Sequence, residues 1–461
     1  MKHKLLISAV VALVSFKCHA LNPVVQTIYT ADPAPMVYKD TLYLYTGHDE
    51  DKSKRYVMKD WRCYSTTDMV NWTDLGSPLS LKDFSWVKSD AWAGQCIERN
   101  GKFYYYVPMI QKNGAGAIGV AVSDSPTGPF HDALGHLLVT TGKGDIDPTV
   151  FIDDDGQAYM YWGNPHLFYV KLNQNMISFD TTIGDKGVVE VPLTVEGFGR
   201  GNGRSWIPRA TLYEEGPWFY KRNGLYYMVY AASGLPENIC YATSTTATGP
   251  WNFKGVIIPT QGHSSTDHPG LIDYKGHSYF LYHNDALPGG GSYTRSVCVE
   301  EFKYNADGTF PTINMTTNGP APIGHLNPYA RTEAETIAWE SGVKTAKSDN
   351  VGVYVTDIKN GSYIRVCSVD FGDKGAAKFL ASVASATKGG AIELRLDGET
   401  GPLIGTLKVK PTGALDKWKM QSCSVSRTKG VHDLYLKFTG DSSPLINFDW
   451  WKFEQRKWSL L

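Results

Sequence analysis

Five stretches of the chain repeat one pattern: an apolar pair, a short polar turn, then alternating aromatic and aliphatic residues. The copies are Met36-Val37 around Asp40 before Leu42-Tyr43-Leu44-Tyr45, Cys96-Ile97 around Gly101 before Phe103-Tyr104-Tyr105-Tyr106, and Val150-Phe151 around Gly156 before Tyr159-Met160-Tyr161-Trp162. Trp218-Phe219 around Gly224 before Tyr226-Tyr227-Met228-Val229 follows, then Leu271-Ile272 around Gly276 before Tyr279-Phe280-Leu281-Tyr282. Strand-forming residues flanking a turn that needs Gly or Asp predict a β-hairpin in each copy. The copies are spaced widely enough for one four-stranded sheet apiece. A fainter repeat supplies outer strands: Cys63-Tyr64-Ser65-Thr66-Thr67 before Asn71-Trp72, Val122-Ser123-Asp124 before Gly128-Pro129-Phe130, and Ala242-Thr243-Ser244 before Gly249-Pro250-Trp251. Five such units predict a five-bladed β-propeller over residues 21–325, with an array of β-sandwiches as the alternative.

The texture changes at Pro311, Pro320, Pro322 and Pro328, which read as a linker. Beyond it, short alternating runs such as Ile392-Glu393-Leu394-Arg395-Leu396 and Leu434-Tyr435-Leu436-Lys437-Phe438 stand between Gly-rich turns. They predict a second all-β domain over 326–461, a β-sandwich of jelly-roll type. At the other end, Lys2 and Lys4, an apolar run from Leu5 to Phe16, and Cys18-His19-Ala20 predict a signal peptide over 1–20. The apolar run is too short for a membrane span, which needs ~20 residues. A secreted or periplasmic protein is expected, with a lipoprotein anchored through Cys18 as the alternative.

Composition narrows the partners. Lys plus Arg number 45 against 46 Asp plus Glu, which leaves no field to hold nucleic acid or an anionic membrane. Aromatics reach 13%, including 13 Trp and 27 Tyr, and fit either an all-β architecture or a surface that stacks on sugar rings. Beyond Cys18, the cysteines are Cys63, Cys96, Cys240, Cys298, Cys367 and Cys423. None has the paired spacing of a zinc site, so structural thiols or disulfides are expected.

Placing the five copies in register brings acidic residues to the start of three innermost strands: Asp32 in Ala31-Asp32-Pro33, Asp147 in Ile146-Asp147-Pro148, and Glu215 in Glu214-Glu215-Gly216-Pro217. The second copy offers Trp92 and the fifth Asp267 or His268. Singly each acid reads as a turn or a solvated cap. Together they converge on one channel end, where mutual repulsion separates carboxyl pKa values as glycoside cleavage requires. Alternation along a strand predicts that only one of Glu214 and Glu215 faces the channel.

These three segments, in this order on five repeats, resemble glycoside hydrolase family 43 over roughly residues 24 to 325. The resemblance implies an inverting enzyme of plant polysaccharides in which Asp32 is the general base, Glu215 the general acid, and Asp147 the residue that orients Glu215 and raises its pKa. An inverting pair stands ~6.5 to 9.5 Å apart. By the same resemblance Arg295 binds sugar hydroxyls, Trp92 walls the pocket, and His268 lies beside a channel calcium ion.

Residues 331 to 455 resemble a family 6 carbohydrate-binding module through Glu333-Ala334-Glu335, Val369-Asp370-Phe371-Gly372, Ile392-Glu393-Leu394-Arg395-Leu396-Asp397 and Asn447-Phe448-Asp449-Trp450-Trp451. This implies Glu333, Glu335 and Asp449 as ligands of a structural calcium. Thr412-Gly413-Ala414-Leu415 lacks the family's tryptophan, which leaves Tyr354 and Asn447 as candidate sugar contacts, with Trp418 and Trp450 as core.

The expectation is thus a monomeric, secreted glycosidase without an organic cofactor that removes arabinofuranosyl side chains from arabinoxylan. A β-xylosidase acting on xylo-oligosaccharides is the close rival. An endo-arabinanase or a non-catalytic carbohydrate binder stands further off.

Overall fold

A computed structural model describes residues 20–205, 208–386, 388–441 and 443–455. The expected signal peptide falls, apart from Ala20, outside the described residues. All five predicted hairpins form: Thr30–Tyr38 with Thr41–Asp49, Gln95–Arg99 with Lys102–Gln111, Thr149–Ile152 with Ala158–Trp162, Tyr213–Arg222 with Leu225–Ala232, and Gly270–Tyr274 with His277–Asn284. The turn chemistry is visible at Asn100-Gly101, Asn223-Gly224 and Lys275-Gly276, where both residues hold positive φ. That is the turn whose twist matches two antiparallel strands.

Each hairpin seeds one antiparallel sheet, and the five sheets follow in chain order. Each packs on the next. Tyr38 meets Phe103 edge to face, Gln95 bonds the backbone of Val150, Phe151 meets Phe219, and the Tyr220 and Tyr304 hydroxyls share a hydrogen bond. The fifth sheet returns to the first through the Tyr274 hydroxyl, which donates to Asp40 O. This cyclic order is that of the five-bladed propeller.

Three sheets depart from four strands, the second by pairing both Val87–Ser89 and Gln95–Arg99 with Lys102–Gln111. The fifth has three, because extended residues 22–30 run along its outer strand Ser296–Phe302. Asn22 brackets Val299, donating from Nδ2 to its O and accepting from its N, and Val24 N–H donates to Val297 O. The first sheet is larger for the opposite reason. Thr336–Ile337, from beyond the linker, pairs antiparallel with its outer strand Trp72–Asp74.

The C-terminal sandwich has one sheet ordered Lys344–Ser348, Gly352–Thr356, Asn447–Gln455, Ala376–Ser385, Ala414–Thr428, and another ordered Trp339–Ser341, Tyr363–Asp370, Val431–Thr439, Gly390–Leu396, Leu403–Val409. Inward residues of both, among them Val366, Phe379, Leu394, Leu436, Trp451 and Phe453, form a single core. The Pro-rich stretch carries no strand, yet it is bonded on both sides: Ile313 N–H donates to Ile257 O and Leu326 N–H to Ser368 O. Asn71, buried in the first sheet, bonds both backbone groups of Cys367 in the sandwich, at 2.9 and 2.8 Å. Cys63, Cys96, Cys240, Cys298 and Cys423 are free thiols. Among the described residues no helix is long and apolar enough to cross a membrane.

Candidate functional site

The acids sit where the innermost strands begin, and the backbone there is unusual. Asp32 and Asp147 both hold left-handed φ, 53° and 58°, immediately before a proline. L-residues with side chains seldom adopt this region, and such strain concentrates at functional sites. In the fourth sheet Gly216 takes that left-handed place, at φ 57°, so the acid falls one residue earlier, on Glu215. The ladder agrees: Ala31 pairs with Gly47, and Glu215 with Ala231.

The strand carrying Glu215 is irregular on both sides of it, between Tyr213 and Glu215 and again between Glu215 and Trp218. Simple alternation is therefore lost, and Glu214 and Glu215 both line the cavity. The expectation that only one would face the channel is corrected. The two are distinguished by their partners. Glu214 is ion-paired to Arg209 at 2.6 Å and accepts the Ser205 hydroxyl, whereas among the described residues Glu215 accepts only the side-chain amide of Asn164.

One cavity of about 490 Å³ collects Asp32, Asp147, Glu215, Trp92, His268 and Arg295. Residues for which the sequence offered no signal join them: Tyr56, Asn164, Arg209, Glu237 and Thr266. Arg295 is 4% exposed. Its Nη1 donates to Asp32 Oδ1 at 2.9 Å, while Nε and Nη2 grip both oxygens of Asp49, each at 2.9 Å. The fully buried Asp49 thus balances the guanidinium, which lies 5.0 Å from the Tyr56 ring centre. His283 sits behind Asp32. Its Nδ1 accepts the Asp32 amide at 3.2 Å, which puts the proton on Nε2, facing Thr266 O at 2.9 Å. Burial and the neighbouring Arg295 hold the imidazole neutral, its pKa lowered to about 3. Trp92 lies at the rim, its indole N–H donating to Tyr56 O at 3.4 Å.

Burial is the largest influence on both remaining acids. It raises Asp147 well above the carboxylate range, reinforced by Glu215 and Asp32, against the pull of the Gly216 amide on Oδ2 at 3.0 Å. It raises Glu215 too, with Asp32 adding and Asn164 opposing. Neighbouring buried carboxyls cannot both ionise cheaply, so the pair holds a proton more tightly than free carboxyls do. The cavity therefore presents a carboxylate clamped by arginine on one strand and a proton-bearing acid pair on two others.

Among the described residues, the one trio of His, Cys or carboxylate ligand atoms mutually within 4.8 Å is His48, Glu50 and Asp60, outside this cavity. His268 offers the cavity a single imidazole, held neutral by burial. In the sandwich, among the described residues Asp449 Oδ1 and Glu335 Oε2 are buried with no hydrogen-bond partner, Arg331 Nη2 standing 3.7 Å from Asp449 Oδ1, while Glu333 is gripped by Arg331 at 2.7 and 2.8 Å. Two orphaned carboxylate oxygens suit a hard cation. Tyr354 meets Trp418 edge to face at 5.2 Å, and Trp418 is half-buried and outside the hydrophobic core of the sandwich. Asn447 is buried, donating to Leu415 O and accepting from the Thr356 hydroxyl, so both ends of its amide are committed within the sandwich.

A five-sheet ring with a carboxyl cluster at its strand starts, joined to a carbohydrate-binding sandwich, defines a glycosidase. The chain belongs to glycosyl hydrolases family 43, matched over residues 20–310, and residues 333–455 match carbohydrate binding module family 6. It is 32% identical to an arabinoxylan arabinofuranohydrolase of Bacillus subtilis (strain 168), covering 94% of this chain and 92% of that protein. A crystal structure of a family 43 arabinoxylan arabinofuranohydrolase from Bacillus subtilis, in complex with cellotetraose, superposes with a TM-score of 0.80 at 31% identity, covering 94% of this chain and 97% of that one. A xylosidase/arabinosidase of Bacteroides ovatus is 32% identical, covering 62% of this chain and 95% of its own.

Proposed function

We propose that the protein is an arabinoxylan arabinofuranohydrolase that removes α-L-arabinofuranosyl side chains by inversion. The observation that carries this is the placing of Asp32 beside Arg295 and of Glu215 beside Asp147 in one cavity, in a chain whose likeness to a debranching enzyme runs through both domains. A pocket of this volume takes one sugar and its neighbours rather than a length of polymer.

In this reading Asp32 accepts a proton from a water molecule as its oxygen bonds the anomeric carbon. Glu215 gives its proton to the departing xylose oxygen as the glycosidic bond breaks. The Arg295 hydrogen bond holds the Asp32 carboxyl in place, and Asp147, tied to Gly216, fixes the strand on which Glu215 stands. Glu214 is set aside as the acid because its carboxyl is committed to Arg209 and Ser205. In the sandwich, Glu333, Glu335 and Asp449 would hold a structural calcium ion, which supplies charge balance and no chemistry. Tyr354 with Trp418 is the candidate sugar contact there. Substrate is polymeric, so export through the 1–20 leader belongs to this reading, and mass analysis of the secreted protein tests it.

A β-xylosidase is the second reading, favoured by the propeller-only match to the xylosidase/arabinosidase. Chromatography of the sugars released from wheat-type arabinoxylan, with Glu215→Gln as control, separates the two. Arabinose alone supports debranching. Xylose or short xylan fragments would shift the assignment to xylan-chain cleavage, and no pentose product would return it to a binding protein.

A further inference from the structure

Glu237 stands in the wall of the same cavity, on the loop between Leu225–Ala232 and Asn238–Ser244. Ser233 and Gly234, at φ 77° and 68°, turn that loop back so that Glu237 N–H donates to Ser265 O at 3.1 Å. From there the side chain reaches across to the fifth sheet, where Oε2 accepts the Asp267 amide at 2.7 Å. One carboxyl oxygen is thus committed to joining two sheets. Among the described residues no donor reaches Oε1, although the residue is only 6% exposed and lines the cavity.

The charged groups facing Glu237 are Glu215, Asp267 and Glu214, all acidic, and Glu214 has its own arginine. Among the described residues no cation pairs with Glu237; Arg204, the guanidinium on this side, donates instead to Pro236 O at 2.6 Å. Burial and then Glu215 raise the acid well above the usual range, which favours its O–H form. A buried O–H with no protein acceptor is costly until something in the cavity accepts from it. A sugar hydroxyl does so, and a site built to bond a hydroxyl discriminates strongly against a substrate that lacks it.

We propose that Glu237 is a sugar-recognition residue whose free oxygen donates a hydrogen bond to one ring hydroxyl of the pentose held in the cavity. The inference rests on the pentosidase reading above. Glu237 takes no part in bond cleavage; it selects and seats the ring whose anomeric carbon lies between Asp32 and Glu215.

The test uses the full chain, para-nitrophenyl arabinofuranoside and its mono-deoxy analogues, with one hydroxyl removed at a time. Glu237→Ala raises KM about tenfold to a hundredfold, with kcat changed less. Glu237→Gln keeps a carbonyl for the Asp267 amide and an N–H for the sugar, and stays within about threefold of wild type, because the donor is retained. Wild type loses about tenfold or more in kcat/KM on one deoxy analogue, and that loss disappears in Glu237→Ala while the losses on the other analogues persist. A merely structural tie would weaken every substrate alike. An alanine variant with unchanged KM, or with the wild-type pattern of deoxy losses, overturns the proposal. Cleavage of the corresponding xyloside alone would overturn the arabinofuranosidase reading, and the deoxy comparison is then made on xylosides with the same two outcomes for Glu237.

Discussion

The backbone amide of Gly216 donates to Asp147 Oδ2 at 3.0 Å, and so ties the carboxyl of the third sheet to the residue that follows Glu215 in the fourth. Gly216 is left-handed there, and a Cβ on it would come within 3.0 Å of the His268 ring. Three consecutive sheets thereby meet at one glycine, which sets where Glu215 presents its acid.

Once either acid of the Asp147–Glu215 pair is ionised it opposes ionisation of the other, and replacing Asp147 by Asn removes that opposition. The alkaline limb of kcat/KM, which reports loss of the acid's proton in the free enzyme, is expected to move to lower pH. The turnover number should fall about 10²- to 10⁴-fold as the acid loses its proton too early. A limb that stays in place would show that Asp147 positions Glu215 without tuning it; the pH profile of the purified variant is the measurement.

His283 predicts an acid sensitivity of the fold. Its pKa is lowered from about 6.5 in the unfolded chain to about 3 in the buried site. Below pH 6.5 the unfolded chain takes up a proton that the folded protein refuses, so this residue's contribution is complete above 6.5 and declines as pH falls toward 3. Each pH unit inside that window costs about 1.4 kcal/mol. Denaturant unfolding at pH 7 and pH 5 should show a steeper loss in wild type than in His283→Gln, which has no proton to take up. Equal slopes would remove His283 from the account.

The orphaned oxygens of Glu335 and Asp449 predict a cation requirement in the sandwich. Chelation is expected to lower the melting temperature and calcium to restore it, since a ligand that binds only the folded state stabilises by mass action. Glu335→Gln should abolish that response. Calorimetry that finds the same transition in chelator and in calcium would argue against a bound ion.

Asn71 makes two hydrogen bonds to the Cys367 backbone across the boundary between propeller and sandwich, and is itself 3% exposed. Asn71→Ala removes both of those buried hydrogen bonds, at a cost of about 1–3 kcal/mol. Because Thr336–Ile337 is also a strand of the first sheet, the two domains should unfold together in wild type. The variant is expected to begin separating into two calorimetric transitions. Two well-resolved transitions already in wild type would refute the coupling.

Much of this was legible in the residues themselves. Period-two alternation and turn chemistry act over a few residues, so the five hairpins and the sandwich strands could be read directly, and the Asp-Pro and Glu-Gly-Pro phrases marked the strand starts. What alternation could not foresee was the irregular pairing around Glu215, which brings Glu214 into the cavity as well. Nor could it foresee that Thr336–Ile337 would complete the outer edge of the first sheet, where the Thr336 hydroxyl bonds that of Thr73, 263 residues earlier.

The remaining parts of the site were decided by tertiary structure alone. Asp49 looks like the end of a strand until Arg295 from the fifth sheet closes on it, and Asn164 and Glu237 sit in loops with no motif of their own. Their chemistry depends on which groups lie opposite and on how much water is excluded. Those are properties of sheets meeting around an axis. The sequence by itself determined where strands begin, where they turn and which acids stand at their starts, because these follow from local sterics and side-chain alternation. Only the folded ring decided which acid is clamped by Arg295, which keep a proton and which oxygen is left for a sugar, because burial and charge proximity come from long-range packing.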